Sequence, residues 1–389
     1  QHQNMARSSS FAALLLLAWA PTAAGFAPGV AKLSSASVAA GQGLLCRTGG
    51  SRSQTLSHGL RNKGRIAGQG TARWGQAVAG VVELKDKATG VSVFVVGAMH
   101  YNPVSVRRAR AVTSTLAENG LLSAVVVESC PTRWERSRPA DQAEWITKLM
   151  SSEMHAASDE ADAVGAAVVL GDQKIEDLTV RAKSLLQETG RDLVSPLSGG
   201  WQRMGADVAT AFTKCFPKDA KDGAKQLGAS DIFDLPLLAA MPISFARYPL
   251  AWLVRAPKGA ATFALLIIAV SAVPELAASV GIAAGEAAGG DELIAQIVAG
   301  AGGLAFSVVE TVVLARLMLV ALLSDRNEIL AASIRGACER AMKAPAGPDG
   351  VAKSVVAVLG MAHVNGVASL LNEAVISVED SSKLAKASK

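Results

Sequence analysis

Two segments far apart in the chain close on the same short pattern. Val93 to Val96 runs into Gly97-Ala98-Met99-His100, and Val355 to Leu359 runs into Gly360-Met361-Ala362-His363. The chain has only 5 histidines, so two in matching frames stand out. Imidazole changes charge near neutral pH and is a common metal ligand. Two such rings brought to one place could hold a metal or move protons; the plainer reading is that each caps its strand through hydrogen bonds. Two acids end similar apolar runs: Glu128 after Ser123–Val127 and Asp172 after Ala166–Leu170. Glu128 is a candidate third ligand, or the base that activates water, because a catalytic metal keeps one open position beside its protein ligands. Asp172 would orient a histidine from behind or cap the helix that follows. Arg133, Arg181 and Arg326 could clamp a carboxylate or steady an oxyanion; pairing with Glu128, Asp172 or Asp325 is the structural alternative. Cys130, Met99 and Met361 read as packing, and His155 as a solvated residue of a polar helix.

These residues need a frame. Val81–Lys85, Val91–Val96, Ser123–Val127, Ala166–Leu170 and Val355–Leu359 are short apolar runs rich in β-branched residues. Runs of this kind without alternation read as strands buried on both faces. Lys87-Ala88-Thr89-Gly90 is a turn joining the first two. Val104–Glu118, stopped by Asn119-Gly120, reads as a helix, which makes strand, helix, strand a parallel unit. Trp134–Ala163, Ile175–Gln187, Asp325–Met342 and Val367–Ala374 read as further helices; residues 188–235 resist ordering. The expected fold is α/β, a central mainly parallel β-sheet flanked by helices. Both histidines and both acids then lie at carboxyl ends of strands, where open sheets of this kind bind ligands.

Residues 236–323 change character. Gly259–Ile282 is apolar with one acid, Glu275, and Leu293–Leu323 is apolar except for Gln296, Glu310 and Arg316. Each is long enough to span a bilayer, which takes about 20 residues. The expectation is an inserted hydrophobic helical hairpin (259–282, 293–323) in a membrane. Glu275, Glu310 and Arg316 argue for the alternative, two helices buried in a soluble core, since charge within a membrane is costly.

The formal net charge is +5. Residues 1–82 contain no Asp or Glu, while Arg7, Lys32, Arg47, Arg52, Arg61, Lys63, Arg65 and Arg73 all lie there. The remainder is slightly acidic, and no basic stripe interleaves with aromatics, so no nucleic-acid partner is expected. Cys46, Cys130, Cys215 and Cys338 form no Cys-x-x-Cys pair, which excludes a zinc ribbon or disulfide framework. No His-Glu-x-x-His, Gly-x-Ser-x-Gly or phosphate-binding glycine loop occurs. Met5 is the expected start. Residues 1–25 read as a signal peptide, with Arg7, an apolar Phe11–Ala20 and small residues Ala23-Ala24-Gly25. Phe26-Ala27-Pro28 opens an acid-free stretch to residue 78. This pair of segments resembles the bipartite leader of algae with complex plastids, which implies a plastid destination; an ordinary secretory signal with a linker is the alternative. The folded parts are then 79–235 and 324–378, with a flexible tail at 379–389.

Five motifs in order carry a family resemblance over about Val91–Ala374. They are Gly97-Ala98-Met99-His100, Val127-Glu128-Ser129-Cys130-Pro131-Thr132-Arg133, Gly171-Asp172-Gln173-Lys174-Ile175 with Arg181, Asp325-Arg326-Asn327, and Gly360-Met361-Ala362-His363 with its trailing Val364-Asn365-Gly366-Val367. Together they resemble the TraB family (TraB/PrgY, the pheromone-shutdown proteins), related to the Tiki peptidases and the erythromycin-esterase-like clan. Gln173 stands where the family pattern has arginine, and the hydrophobic insertion is longer. The resemblance implies that the two Gly-x-x-His motifs and the strand-end glutamate line one site, and that the activity is metal-dependent hydrolysis of a peptide or protein, with Mn, Co or Zn as cofactor. In that reading His100, His363 and Glu128 hold the metal, Glu128, Arg181 and Arg326 are catalytic, and Asp172 and Arg133 support them. The alternative is a non-catalytic membrane regulator or tether that binds a peptide or protein through the same cleft. Neither substrate nor oligomeric state is readable.

Overall fold

The computed structural model describes residues 79–138, 145–146, 150–217, 226–255, 257–258, 260–261, 265, 279 and 292–373. The expected signal peptide, leader, first apolar limb (259–282, of which a few positions are described) and carboxyl-terminal tail lie outside them. Among the described residues the strands form one sheet in the order β1-β2-β5-β3-β4. They are β1 (Val81–Lys85), β2 (Ser92–Ala98), β3 (Leu122–Val127), β4 (Ala167–Leu170) and β5 (Ser354–Gly360). β1 runs antiparallel to β2, and the other pairings are parallel. The expected mainly parallel sheet is therefore present, with β5 at its centre.

The β1–β2 turn forms because the buried Asp86 carboxylate accepts from the Thr89 backbone amide and hydroxyl, while Gly90 takes a left-handed φ of 71°. Helix α1 (Pro103–Glu118) starts where Asn102 accepts from the Val104 amide and Pro103 presets the first turn. Side chains alternate across the sheet. Val93, Val95, Ala124, Val126, Val355, Ala357 and Leu359 join one apolar cluster with Leu330, Ile334, Ala337, Val364, Val367 and Leu371. The last six belong to the helices on that face, named below. Phe94, Val96, Val125, Val127, Val356 and Val358 are also buried. Their period places them on the opposite face, toward α1 and α3.

The stretch 134–163 departs from one polar helix. It holds α2 (Pro131–Ser137) and α3 (Glu153–Ala163), the latter capped by Ser152. After β4 come α4 (Ile175–Leu193), α5 (Gly200–Cys215), α6 (Ala229–Ile232), α7 (Leu235–Ala239) and α8 (Met241–Arg255). Then α9 (Glu292–Arg316) passes through a π-helical segment, Leu317–Ser324, into α10 (Asp325–Lys343) without a break. The closing helix α11 (Met361–Asn372) begins six residues before the predicted Val367. Gly360 ends β5 and starts α11 at once, so His363 sits in a first helical turn instead of a loop.

Of the two apolar limbs, the second forms part of this long helix. Gly300–Lys343 is long and apolar enough to cross a membrane, with 12% of its most apolar window buried; α6–α7 with α8, bent by 80°, would pass the same test only as a pair. Arg316, expected within the apolar run, is buried at its inner end, where its guanidinium donates to Asp192 at 2.9 Å and Asp207 at 2.5 Å. Its charge is thus met by α4 and α5, not by an apolar surround.

Candidate functional site

Four strands deliver their chemistry to one rim. His100 follows β2, His363 follows β5, Glu128 follows β3 and Asp172 follows β4. Since β5 lies between β2 and β3, His363 falls between His100 and Glu128. The pivot is Gly360. A β-carbon placed there would lie 3.2 Å from Glu128 Oε2, 3.3 Å from His100 Nε2 and 3.7 Å from His363 Cδ2. The three predicted groups meet at one point, and the residue at that point has no side chain.

Each imidazole is held from behind. His100 Nδ1 lies 2.6 Å from Glu153 Oε1, while Glu153 Oε2 accepts from the Tyr101 amide at 3.1 Å. Glu153 is fully buried. Burial opposes charge on His100, but the Glu153 carboxylate outweighs it and lifts the ring to about 9. His363 Nδ1 lies 2.6 Å from Asn327 Oδ1. Asn327 Nδ2 turns the other way, to Cys215 Sγ, so its oxygen faces the ring. On the other side His363 Nε2 is 3.3 Å from Glu128 Oε1. Both ring nitrogens of His363 thus face acceptors. Such a ring is satisfied only when both carry hydrogen or when a cation stands in for one.

Glu128 is heavily engaged. Its Oε2 accepts from the Gly360 amide at 2.6 Å and its Oε1 from Arg326 Nη2 at 2.5 Å. Burial would raise this carboxyl, but His363 and Arg326 together hold it well below the usual carboxylate range. Arg326 also forks onto Asp172, with Nε to Oδ1 at 2.9 Å and Nη2 to Oδ2 at 2.5 Å. Arg133 donates to the same Asp172 oxygen and, through Nε, to Cys130 Sγ at 3.4 Å. Asp172 therefore touches arginines and the Gln173 amide, not a histidine. Nor does it cap α4, whose cap position is Lys174 without a side-chain bond. Both expectations for Asp172 are corrected: two guanidiniums compete for its oxygens more strongly than a helix amide does.

Arg181 pairs with Asp325 at 2.8 Å, one residue before Arg326, and among the described residues it makes no hydrogen bond or ion pair with a histidine. His155, expected in solvent, is buried. Its Nε2 meets the Ser137 hydroxyl at 2.9 Å and its Nδ1 the Ser152 hydroxyl at 3.1 Å. Burial, then the charges of Arg138 and Arg255, push it down to about 3. The α3 capping geometry draws it inward. Met361 is buried and Met99 packs against the core, as expected.

Sequence reasoning missed Glu153, Asn327, Tyr101, Tyr248 and Arg255. Both tyrosines of the chain are here: it has 2. Tyr248 lies with its ring centroid 6.3 Å from His100 and 5.9 Å from Tyr101. Arg255 Nη1 donates to the Tyr101 hydroxyl at 2.7 Å. Tyr101 has φ 60°, a left-handed backbone that an aromatic residue rarely adopts. The glutamate and arginine bonds on either side of it hold that conformation.

Among the described residues no three His, Cys, Asp or Glu side chains are grouped to hold one metal ion. Glu128 already has the Arg326 and Gly360 donors on its oxygens. The two imidazoles nevertheless have the form of metal ligands, with Nδ1 fixed by an oxygen acceptor and Nε2 directed inward. The donor set therefore fits a divalent cation in kind. No family model matches this chain, and no curated protein matches it.

Proposed function

We propose that the chain is a membrane-bound, TraB-like, metal-dependent hydrolase acting on a peptide or protein. The observation that carries this reading is the meeting of His100 Nε2, Glu128 Oε2 and the His363 ring around Gly360. A divalent cation, Mn, Co or Zn, would be held by His100, His363 and Glu128 and would supply Lewis acidity. The chain's own groups account for the rest. Glu128 is held too acidic to be a strong base, which suits it to fix the charge and position of the centre. His100 keeps 29% of its side chain exposed while Glu153 anchors its far nitrogen. That arrangement aims its Nε2 at the site as a ligand needs, and as water adds to the carbonyl carbon and the C–N bond breaks, one proton of that water would pass to the departing amine. Tyr248, beside His100, can steer the substrate. Arg326 and Arg133 offset the charge of Glu128 and Asp172. The likeness to the TraB, Tiki and erythromycin-esterase-like proteins and delivery to an algal plastid are part of this proposal.

A second reading, a non-catalytic regulator or tether, draws on the same engagement of Glu128 by Arg326 and Gly360. Metal analysis of the purified full chain separates the two. The hydrolase reading expects stoichiometric Mn, Co or Zn in the wild type, lost in His100→Ala and in His363→Ala together with cleavage of a mixed peptide pool. A metal-free wild type that binds peptides without cleaving them overturns it in favour of the tether.

A further inference from the structure

Helix α8 is amphipathic the wrong way round for a protein in water. Ser244, Tyr248, Ala251 and Arg255 recur at helical spacing on one side. That side faces the site: Ser244 and Ala251 are buried, Tyr248 stands beside His100, and Arg255 bonds Tyr101, the Ser137 carbonyl and the Met150 carbonyl. The opposite side carries Ile243 (43% exposed), Leu250 (41%), Leu253 (55%) and Val254 (47%). Polar and charged groups point inward while aliphatic ones point out. In water that outward face would expose a contiguous apolar strip, which soluble surfaces avoid.

The chain on either side indicates what covers it. α8 leads directly into the apolar run Gly259–Ile282. The return limb, α9, also exposes aliphatic residues, with Ile297, Val308 and Leu314 outward. Arg316, buried against Asp192 and Asp207, marks where that limb meets the folded domain. Arg326 and Asn327 follow on the same continuous helix, roughly 15 Å further at 1.5 Å per residue. Both connections of the apolar insertion therefore carry site residues: Tyr248 and Arg255 on the way in, Arg326 and Asn327 on the way out. α8 contains no acid, and Arg247 and Trp252 fit the composition of helices that lie in the headgroup layer.

We propose that α8 lies flat in the lipid–water interface and that the carboxyl-end rim of the sheet, with its two histidines, faces the bilayer surface. Substrate would then reach His100 from the membrane side, as a segment resting on or emerging from the lipid. The opposite rim of the sheet faces away. Val164, 51% exposed at the amino end of β4, serves as the reference for that rim.

The test uses the full chain reconstituted in phosphatidylcholine–phosphatidylglycerol vesicles. Cys46 is replaced by Ser, and the buried Cys130, Cys215 and Cys338 are left in place. A fluorophore is attached through Leu253→Cys, Ile243→Cys or Val164→Cys, one at a time. Lipids brominated near the headgroup should quench the labels at 253 and 243 several-fold more than the label at 164, and aqueous iodide should show the reverse order. Equal quenching at all three positions overturns the proposal. So does a label at 253 shielded from iodide yet untouched by brominated lipid, which would place a protein surface or a second copy on α8. No turnover is measured, so failure here is distinct from failure of the hydrolase reading.

Discussion

The two Gly-x-x-His motifs look interchangeable in sequence and are not held alike. His100 is backed by a buried carboxylate, Glu153, and stays partly open to solvent. His363 is backed by a neutral amide, Asn327, and is buried with Glu128 against its other nitrogen. A carboxylate behind a ring favours its charged form; an amide fixes orientation without adding charge. One motif thus presents an accessible imidazole backed by a carboxylate and the other an enclosed one backed by an amide. A repeated motif places two like side chains on one rim, and the residues behind them give each its own task.

Removing the backing groups breaks the comparison most directly. Glu153→Ala leaves His100 Nδ1 and the Tyr101 amide without their acceptor and should lower stability by about 4 kcal/mol, read as a drop in urea midpoint. Asn327→Ala removes one neutral partner from a buried ring and should cost about 2 kcal/mol in the same assay. Equal losses would mean that the carboxylate and the amide do the same work. A third ring sharpens the contrast. His155 starts only two residues beyond Glu153, yet it has hydroxyls and arginines around it and no carboxylate bond. Its folded-state value of about 3 lies below the ordinary 6.5. The unfolded chain therefore takes up the proton first as pH falls, so stability is full above pH 6.5 and is lost between there and about 3. His155→Gln should flatten that acid slope by about 1 kcal/mol per pH unit in denaturation measured from pH 7 to 5. An unchanged slope would remove His155 from this set of environments.

The frame was legible because its signals are local. Short Val-rich runs located each described strand to within two residues, and Asn119-Gly120 marked the end of α1. The convergence of His100, Glu128 and His363 followed from their shared position after strands. What supports them was not legible, because it depends on packing between distant segments. Glu153 looked like one more acid in a polar helix until α3 turned it onto His100. Asn327 stood beside Arg326 in a triplet already singled out, but only the meeting of α10 with α11 gives it a ring to hold. Arg316 looked like a charge stranded among aliphatics because Asp192 and Asp207 lie more than a hundred residues away in sequence. The two tyrosines were the one compositional hint left unused.

The position of β5 governs when this centre can exist. Among the described strands it comes latest in sequence, yet it separates β2 from β3 in the finished sheet. Until it slots in, those strands lack their shared neighbour and the glycine around which the reactive groups gather is elsewhere. Formation of the centre therefore waits on pairing between strands more than two hundred residues apart in sequence.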